Sequence, residues 1–264
     1  MLALAIIGFC GSSGKKNSSN RPPTQSAVQI RPLTAVPGTR AAGAPPAPGQ
    51  TPGASGTFAP GTPTAVSTCA PAELLRLVDK QAALPADYTP DDLAGLQRID
   101  SSPQIVIALA LRREAEAALH RMLEQARAAN VFILAQSAYR SYDDQGRVYQ
   151  AEVTNFGQAQ ADRESARPGH SEHQLGLAVD FTSKGLGYDL NDSFAVTTEG
   201  KWLQQNAAQF GFVLSYPQAK EGETGYMYEP WHYRYLGPAA AQAFAASGQT
   251  LNRWLATRQL GCGG

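Results

Sequence analysis

The sequence predicts an α+β domain with a mostly antiparallel sheet and flanking helices. Three features lead there: short β-branched or aromatic runs are interspersed with segments of helical period, regular β-α-β alternation is absent, and no strand-like run is followed by a glycine-rich phosphate loop. At 264 residues, 43% of them hydrophobic, the chain has enough apolar surface for a substantial core.

The elements can be taken in chain order. Residues 70–80, "APAELLRLVDK", predict a short helix, and "LPADYTPDDL" reads as a proline-punctuated connector. A long helix is expected over about 104–129, because Leu111, Ala115, Ala118, Met122, Ala126 and Ala129 recur at three- and four-residue steps. His120 falls on its opposite face with Arg113, Glu116, Glu124 and Arg127, which reads as a solvated surface. "VFILAQS", 131–137, has the composition of a buried strand, and "AYRSYDDQGRVYQAE" turns before becoming helical. A second strand includes Leu177 to Phe181, and a helix covers roughly 199–209. "FVLSY" and "WHYRYL" supply two more strands, with "PAAAQAFAAS" and "TLNRWLATRQL" as closing helices.

These elements belong to a domain expected over 69–264. Residues 11–68 differ: Pro, Gly, Ser, Thr and Ala dominate, Asp and Glu are absent, and Phe58 is the one aromatic. Such a segment cannot bury enough apolar surface to offset chain entropy and reads as a tether. It carries Lys15, Lys16, Arg21, Arg31 and Arg40, so the formal net charge of zero leaves the remainder acidic. No basic stripe marks the folded part for nucleic acid.

Residues 1–10, "MLALAIIGFC", are too short to span a bilayer but match the apolar core of an export signal, although no Lys or Arg precedes them. Cys10 resembles the lipid-bearing cysteine of a bacterial lipoprotein processing site, with Phe9 standing where such sites usually have a small residue. The remaining cysteines are Cys69, where the tether ends, and Cys262 near the C-terminus. An exported domain could join Cys69 to Cys262 and leave Cys10 for lipid; two free thiols are the alternative. Both features point to the cell envelope, with membrane anchoring through the N-terminus as one route.

The chemistry concentrates in two stretches. In "HSEHQLGLAVDF", His173 lies in a turn and Asp180 in the strand that follows. Alternation puts Ala178 and Asp180 on one face and Val179 and Phe181 on the other, and a carboxylate in so apolar a strand is costly unless paired or metal-bound. Gly176 permits a close backbone approach between them. In "YEPWHYRY", His232 follows Glu229 by three residues, so the two reach one centre only if the chain bends at Pro230. A hydrolytic zinc needs three protein ligands, a free carboxylate beside a water, and a cation facing the oxyanion that develops. On the residues alone, a polar loop and a histidine packed among aromatics account for the same stretches.

The ordered set "LPADYTPDDL", "SAYRSYDDQ", "SEHQLGLAVDF" and "EPWHYRY" resembles the VanY-type D-alanyl-D-alanine carboxypeptidases, zinc peptidases related in fold to the Hedgehog signalling domain. The resemblance covers about 70–260. It implies that His173, Asp180 and His232 bind Zn2+, that Glu229 is the catalytic base, and that Arg140 polarises the scissile carbonyl or holds a substrate carboxylate. Gln145 and Ser171 match positions lining the substrate pocket, and Tyr216 is a further pocket candidate. His170 is not required as a ligand and reads as a rim residue. The implied partner is a peptidoglycan stem peptide, cut by a monomeric enzyme at its terminal D-alanine. The alternatives are an L,D-carboxypeptidase or endopeptidase on the same scaffold, and a zinc-stabilised wall-binding module without catalysis.

Overall fold

The structure is a computed structural model and describes residues 73–96 and 109–259. The signal-like segment, the tether and the three cysteines, Cys10, Cys69 and Cys262, lie outside the described residues.

A short antiparallel ribbon, β1 (Leu93–Gly95) with β2 (Ala110–Arg112), leads into α1 (Arg113–Ala128). Next come β3 (Leu134–Ser137), α2 (Tyr142–Phe156), α3 (Gln158–Glu164) and β4 (Ala178–Thr182). They are followed by α4 (Thr198–Asn206), β5 (Phe212–Leu214), α5 (Glu221–Thr224), β6 (His232–Tyr235), α6 (Pro238–Ala245) and α7 (Leu251–Gln259). The main sheet has the order β3-β4-β6-β5, and every pairing in it is antiparallel. This is the mixed helical and antiparallel architecture that the sequence predicts.

Alternation assigns the two faces of this sheet. Val179 and Phe181 of β4 and Tyr233 and Tyr235 of β6 join the main core with Ala115, Ala118, Leu119 and Met122 of α1. Asp180 lies opposite His232, and Ala178 opposite Arg234, so these four residues share the other face. Val213 pairs with Arg234, and it packs with Leu236, Ala241, Leu251 and Trp254 beneath α6 and α7. Asp180, His232 and Arg234 are therefore fixed from both sides by apolar clusters.

Three expected elements differ in extent or kind. The helix expected over 70–80 is a turn in its described part: the Leu74 and Arg76 carbonyls both accept from Nη2 of Arg234, and Asp79 Oδ1 accepts the Gln81 and Ala82 amides. The long-range bonds to Arg234 and the local turn at Asp79 replace the helical ladder. The long helix starts at Arg113, not near 104, and Leu111 belongs to β2, where it pairs with Ala94; residues 104–108 lie outside the described residues. Its face holds Ala115, Ala118, Met122 and Ala126 as expected, while Ala129 is an exposed C-cap. The strand expected from 131 begins at Leu134, because the Val131 amide still bonds back to Ala126 at the end of α1. His120 is half-exposed beside Glu124, as a solvated face requires.

Candidate metal and active site

His173 sits in a 3-10 turn, Glu172–Leu175, opened by Ser171, whose Oγ accepts the His173 amide at 3.3 Å. The turn closes on Gly176 at φ 66°, where a Cβ would lie 2.8 Å from Leu93 Cδ2 and 3.2 Å from Arg112 Cγ. The neighbours that require a glycine here are side chains of β1 and β2, not the His173–Asp180 backbone approach that the sequence suggests. The Arg112 amide seals this contact by donating to the Gly176 carbonyl at 2.8 Å.

The imidazole of His173 is oriented from behind: its Nδ1 lies 2.6 Å from the Ala138 carbonyl oxygen. A carbonyl can only accept, so Nδ1 carries the hydrogen, and Nε2 is the nitrogen turned to Asp180 Oδ2 at 3.2 Å. His232 turns the opposite nitrogen inward, with Nδ1 2.9 Å from Asp180 Oδ1 and Nε2 3.0 Å from Glu172 Oε2. The two rings meet edge-on at 5.0 Å. One ligand atom from each of His173, Asp180 and His232 falls within 4.8 Å of the others, and all three residues are buried.

These residues fit a divalent metal. Burial favours the neutral form of His173, and in that form the Nε2 lone pair and a carboxylate oxygen are two acceptors side by side, an arrangement that a bound cation satisfies. A mixed nitrogen and oxygen donor set suits zinc, and three protein ligands leave a position open. The electrostatics agree. Burial pushes both ionisable types towards neutrality, yet His173 and His232 hold Asp180 well below the usual carboxylate range. The imidazoles are driven apart. Burial lowers His173, whereas His232, although buried, is raised to about 10 by hydrogen bonds to Asp180 and Glu172 and by the charges of Asp180 and Glu229.

Glu229 meets the geometric requirement set by its odd spacing. The His232 amide donates to the Glu229 carbonyl at 3.1 Å, closing a turn through Pro230 and Trp231. The carboxylate then lies beside the cluster, Oε2 3.8 Å from His232 Nδ1, without joining the three-residue group. Burial raises its pKa to about 8; His232 and Arg140 oppose the rise, and the Asp180 and Glu172 charges add to it. A carboxyl group held near neutrality suits it to exchange protons.

Arg140 enters between β3 and α2. Its amide donates to the His173 carbonyl at 3.2 Å, and its guanidinium donates to Gln145 Oε1 at 2.9 Å and Ser137 Oγ at 2.8 Å. Burial lowers its pKa, opposed by the charges of Asp180 and Glu229, which places Arg140 in the field of the cluster. Gln145, itself buried, donates to the Ala166 carbonyl at 2.7 Å and so braces Arg140. Tyr216 packs against the His232 ring, centroids 4.9 Å apart and planes tilted by 35°. His170 stands apart from the metal group, its Nδ1 2.7 Å from the Asp79 carbonyl.

Two charged residues of the site escape the sequence reading. Glu172 and Arg234 form a buried pair at 2.9 Å, directly behind His232. The sequence does carry a signal for Arg234. Arg234 alternates with His232 in an otherwise aromatic strand, which puts both side chains on one face.

The VanY family, described as D-alanyl-D-alanine carboxypeptidase, matches residues 108–238. "Putative carboxypeptidase YodJ" of Bacillus subtilis (strain 168) is 41% identical over 184 residues, spanning 70% of this chain and 67% of that protein. The chain belongs to the VanY family. Solved structures agree. The LdcB LD-carboxypeptidase superposes with a TM-score of 0.65 at 41% identity, covering 70% of this chain and 87% of that one. A mutant of the vancomycin resistance D,D-pentapeptidase VanY, in complex with Zn(II), gives 0.57 at 31% identity, covering 69% and 99%. The fold is that of these VanY and LdcB carboxypeptidases, the Hedgehog/DD-peptidase-like fold, and membership of the VanY family makes the chain a peptidase by kinship.

Proposed function

We propose that this chain is a zinc-dependent D-alanyl-D-alanine carboxypeptidase that removes the terminal D-alanine from peptidoglycan stem peptides. The observation that carries the reading is the convergence of His173, Asp180 and His232 with a free carboxylate, Glu229, beside them. In this reading the cluster holds zinc, which supplies the Lewis acidity that polarises a carbonyl and acidifies a water. Glu229 Oε2 takes the proton of the attacking water and hands it to the amine of the departing alanine. Arg140, fixed by Gln145 and Ser137, directs its guanidinium at the charge developing on the carbonyl oxygen. Ser171 and Tyr216 line the approach of the peptide. A non-catalytic module needs neither a free base nor a fixed guanidinium, and Glu229 and Arg140 speak against it.

The reading extends to the residues outside the structure: an exported protein of the cell envelope, its catalytic domain from residue 69 onward carried on a tether, with Cys10 available for lipid and Cys69 and Cys262 for a disulfide. One observation favours a second reading, an L,D-carboxypeptidase: LdcB is the more similar of the two solved structures, at 41% identity against 31%. Pentapeptide and tetrapeptide stems, assayed separately by mass spectrometry, decide the bond. The proposal expects loss of one alanine from the pentapeptide and an unchanged tetrapeptide. The reverse pattern establishes the L,D activity, and no loss from either overturns the carboxypeptidase reading.

A further inference from the structure

We propose that Glu172 is a positioning residue for metal binding: clamped by Arg234 and Ser215, its carboxylate fixes His232 with the hydrogen on Nε2 and the Nδ1 lone pair towards Asp180. The inference rests on the proposed metal site and adds to it a residue that binds neither metal nor substrate.

The geometry leaves Glu172 no other arrangement. Its Oε1 accepts from Arg234 Nη1 at 2.9 Å, and its Oε2 accepts from Ser215 Oγ at 2.6 Å. The guanidinium is locked in turn, because Nη2 donates to the Leu74 and Arg76 carbonyls, each at 3.0 Å, and Nε to the Tyr235 carbonyl at 3.3 Å. Arg234 is fully buried, and Glu172 is 3% exposed. A carboxylate so held is a permanent acceptor, so the ring nitrogen facing it, His232 Nε2 at 3.0 Å, must be the one that donates. A metal ligand must give up its proton, and the nitrogen left to do so is Nδ1, the one facing Asp180. Carboxylates behind ligating imidazoles orient the ring and raise its basicity. On metal binding the two imidazoles thus take opposite tautomers: His173 is held from Nδ1 by a backbone carbonyl, and His232 from Nε2 by a buried anion.

Two measurements on the full chain test this. Long-range proton–nitrogen correlation spectra of the zinc-loaded wild type are expected to show hydrogen on Nδ1 of His173 and on Nε2 of His232. Hydrogen on Nδ1 of His232 would overturn the proposal, whether or not any variant folds. In Glu172→Gln, competition against a chromogenic chelator is expected to show zinc affinity reduced about 10- to 100-fold. If Glu172 serves only as the counter-ion of Arg234, the variant will melt earlier yet bind zinc as tightly as the wild type, and the inference fails while the metallopeptidase reading stands. Wild-type protein that takes up no zinc would overturn both.

Discussion

Glu229→Gln is expected to bind zinc like the wild type and to release alanine about 10²- to 10⁴-fold more slowly. The substitution preserves shape and removes the one function required of the residue, reversible protonation of a carboxylate. Its turn survives because it is made by backbone: the Glu229 amide donates to the Tyr216 carbonyl and the His232 amide to the Glu229 carbonyl, both at 3.1 Å. Metal retention follows because Glu229 stands outside the cluster of His173, Asp180 and His232. Zinc content and the single-turnover rate, measured on one preparation, check both halves. Turnover equal to the wild type would remove Glu229 from the mechanism, and loss of zinc would make it a ligand.

The second large effect is on stability. Arg234→Met is expected to destabilise the metal-free protein by about 3–5 kcal/mol, because it strands a buried carboxylate. Glu172 keeps its bonds to Ser215 and His232 but loses its counter-ion, and the Leu74 and Arg76 carbonyls lose their donor. The combined variant Glu172→Gln/Arg234→Met is expected to recover part of that loss, since the pair leaves together. Urea unfolding of both variants reads the difference. A single-variant change below about 1 kcal/mol would mean that water reaches Glu172 and the pair is not the buried clamp described.

The sequence carries the reacting groups more legibly than their supports. Period-two alternation suffices to put Asp180 with Ala178 on one face of its strand, while its sharing that face with His232 depends on the pairing of β4 with β6; the odd spacing of Glu229 and His232 requires a turn at Pro230 if both are to reach one centre. The alternation and the turn rest on local geometry. Glu172 and Arg234 are 62 residues apart and form one clamp, and nothing local to either announces the other. The same long-range bond explains the missing helix at the start of the domain. "ELLRLV" has helical propensity, but its carbonyls are claimed by a guanidinium more than 150 residues away. Leu111 fails for a different reason. It sits at the right step to extend the face of α1, and periodicity alone cannot tell where a helix hands over to a strand entering it.

The most direct test of the account is metal analysis of purified wild-type protein beside the His173→Ala and His232→Ala variants, with alanine release assayed before and after chelation. One zinc per wild-type chain, none in either variant, and activity lost on chelation and restored by zinc are the predicted results. Full activity in chelator-treated wild type, or one zinc per chain retained in either variant, would contradict it.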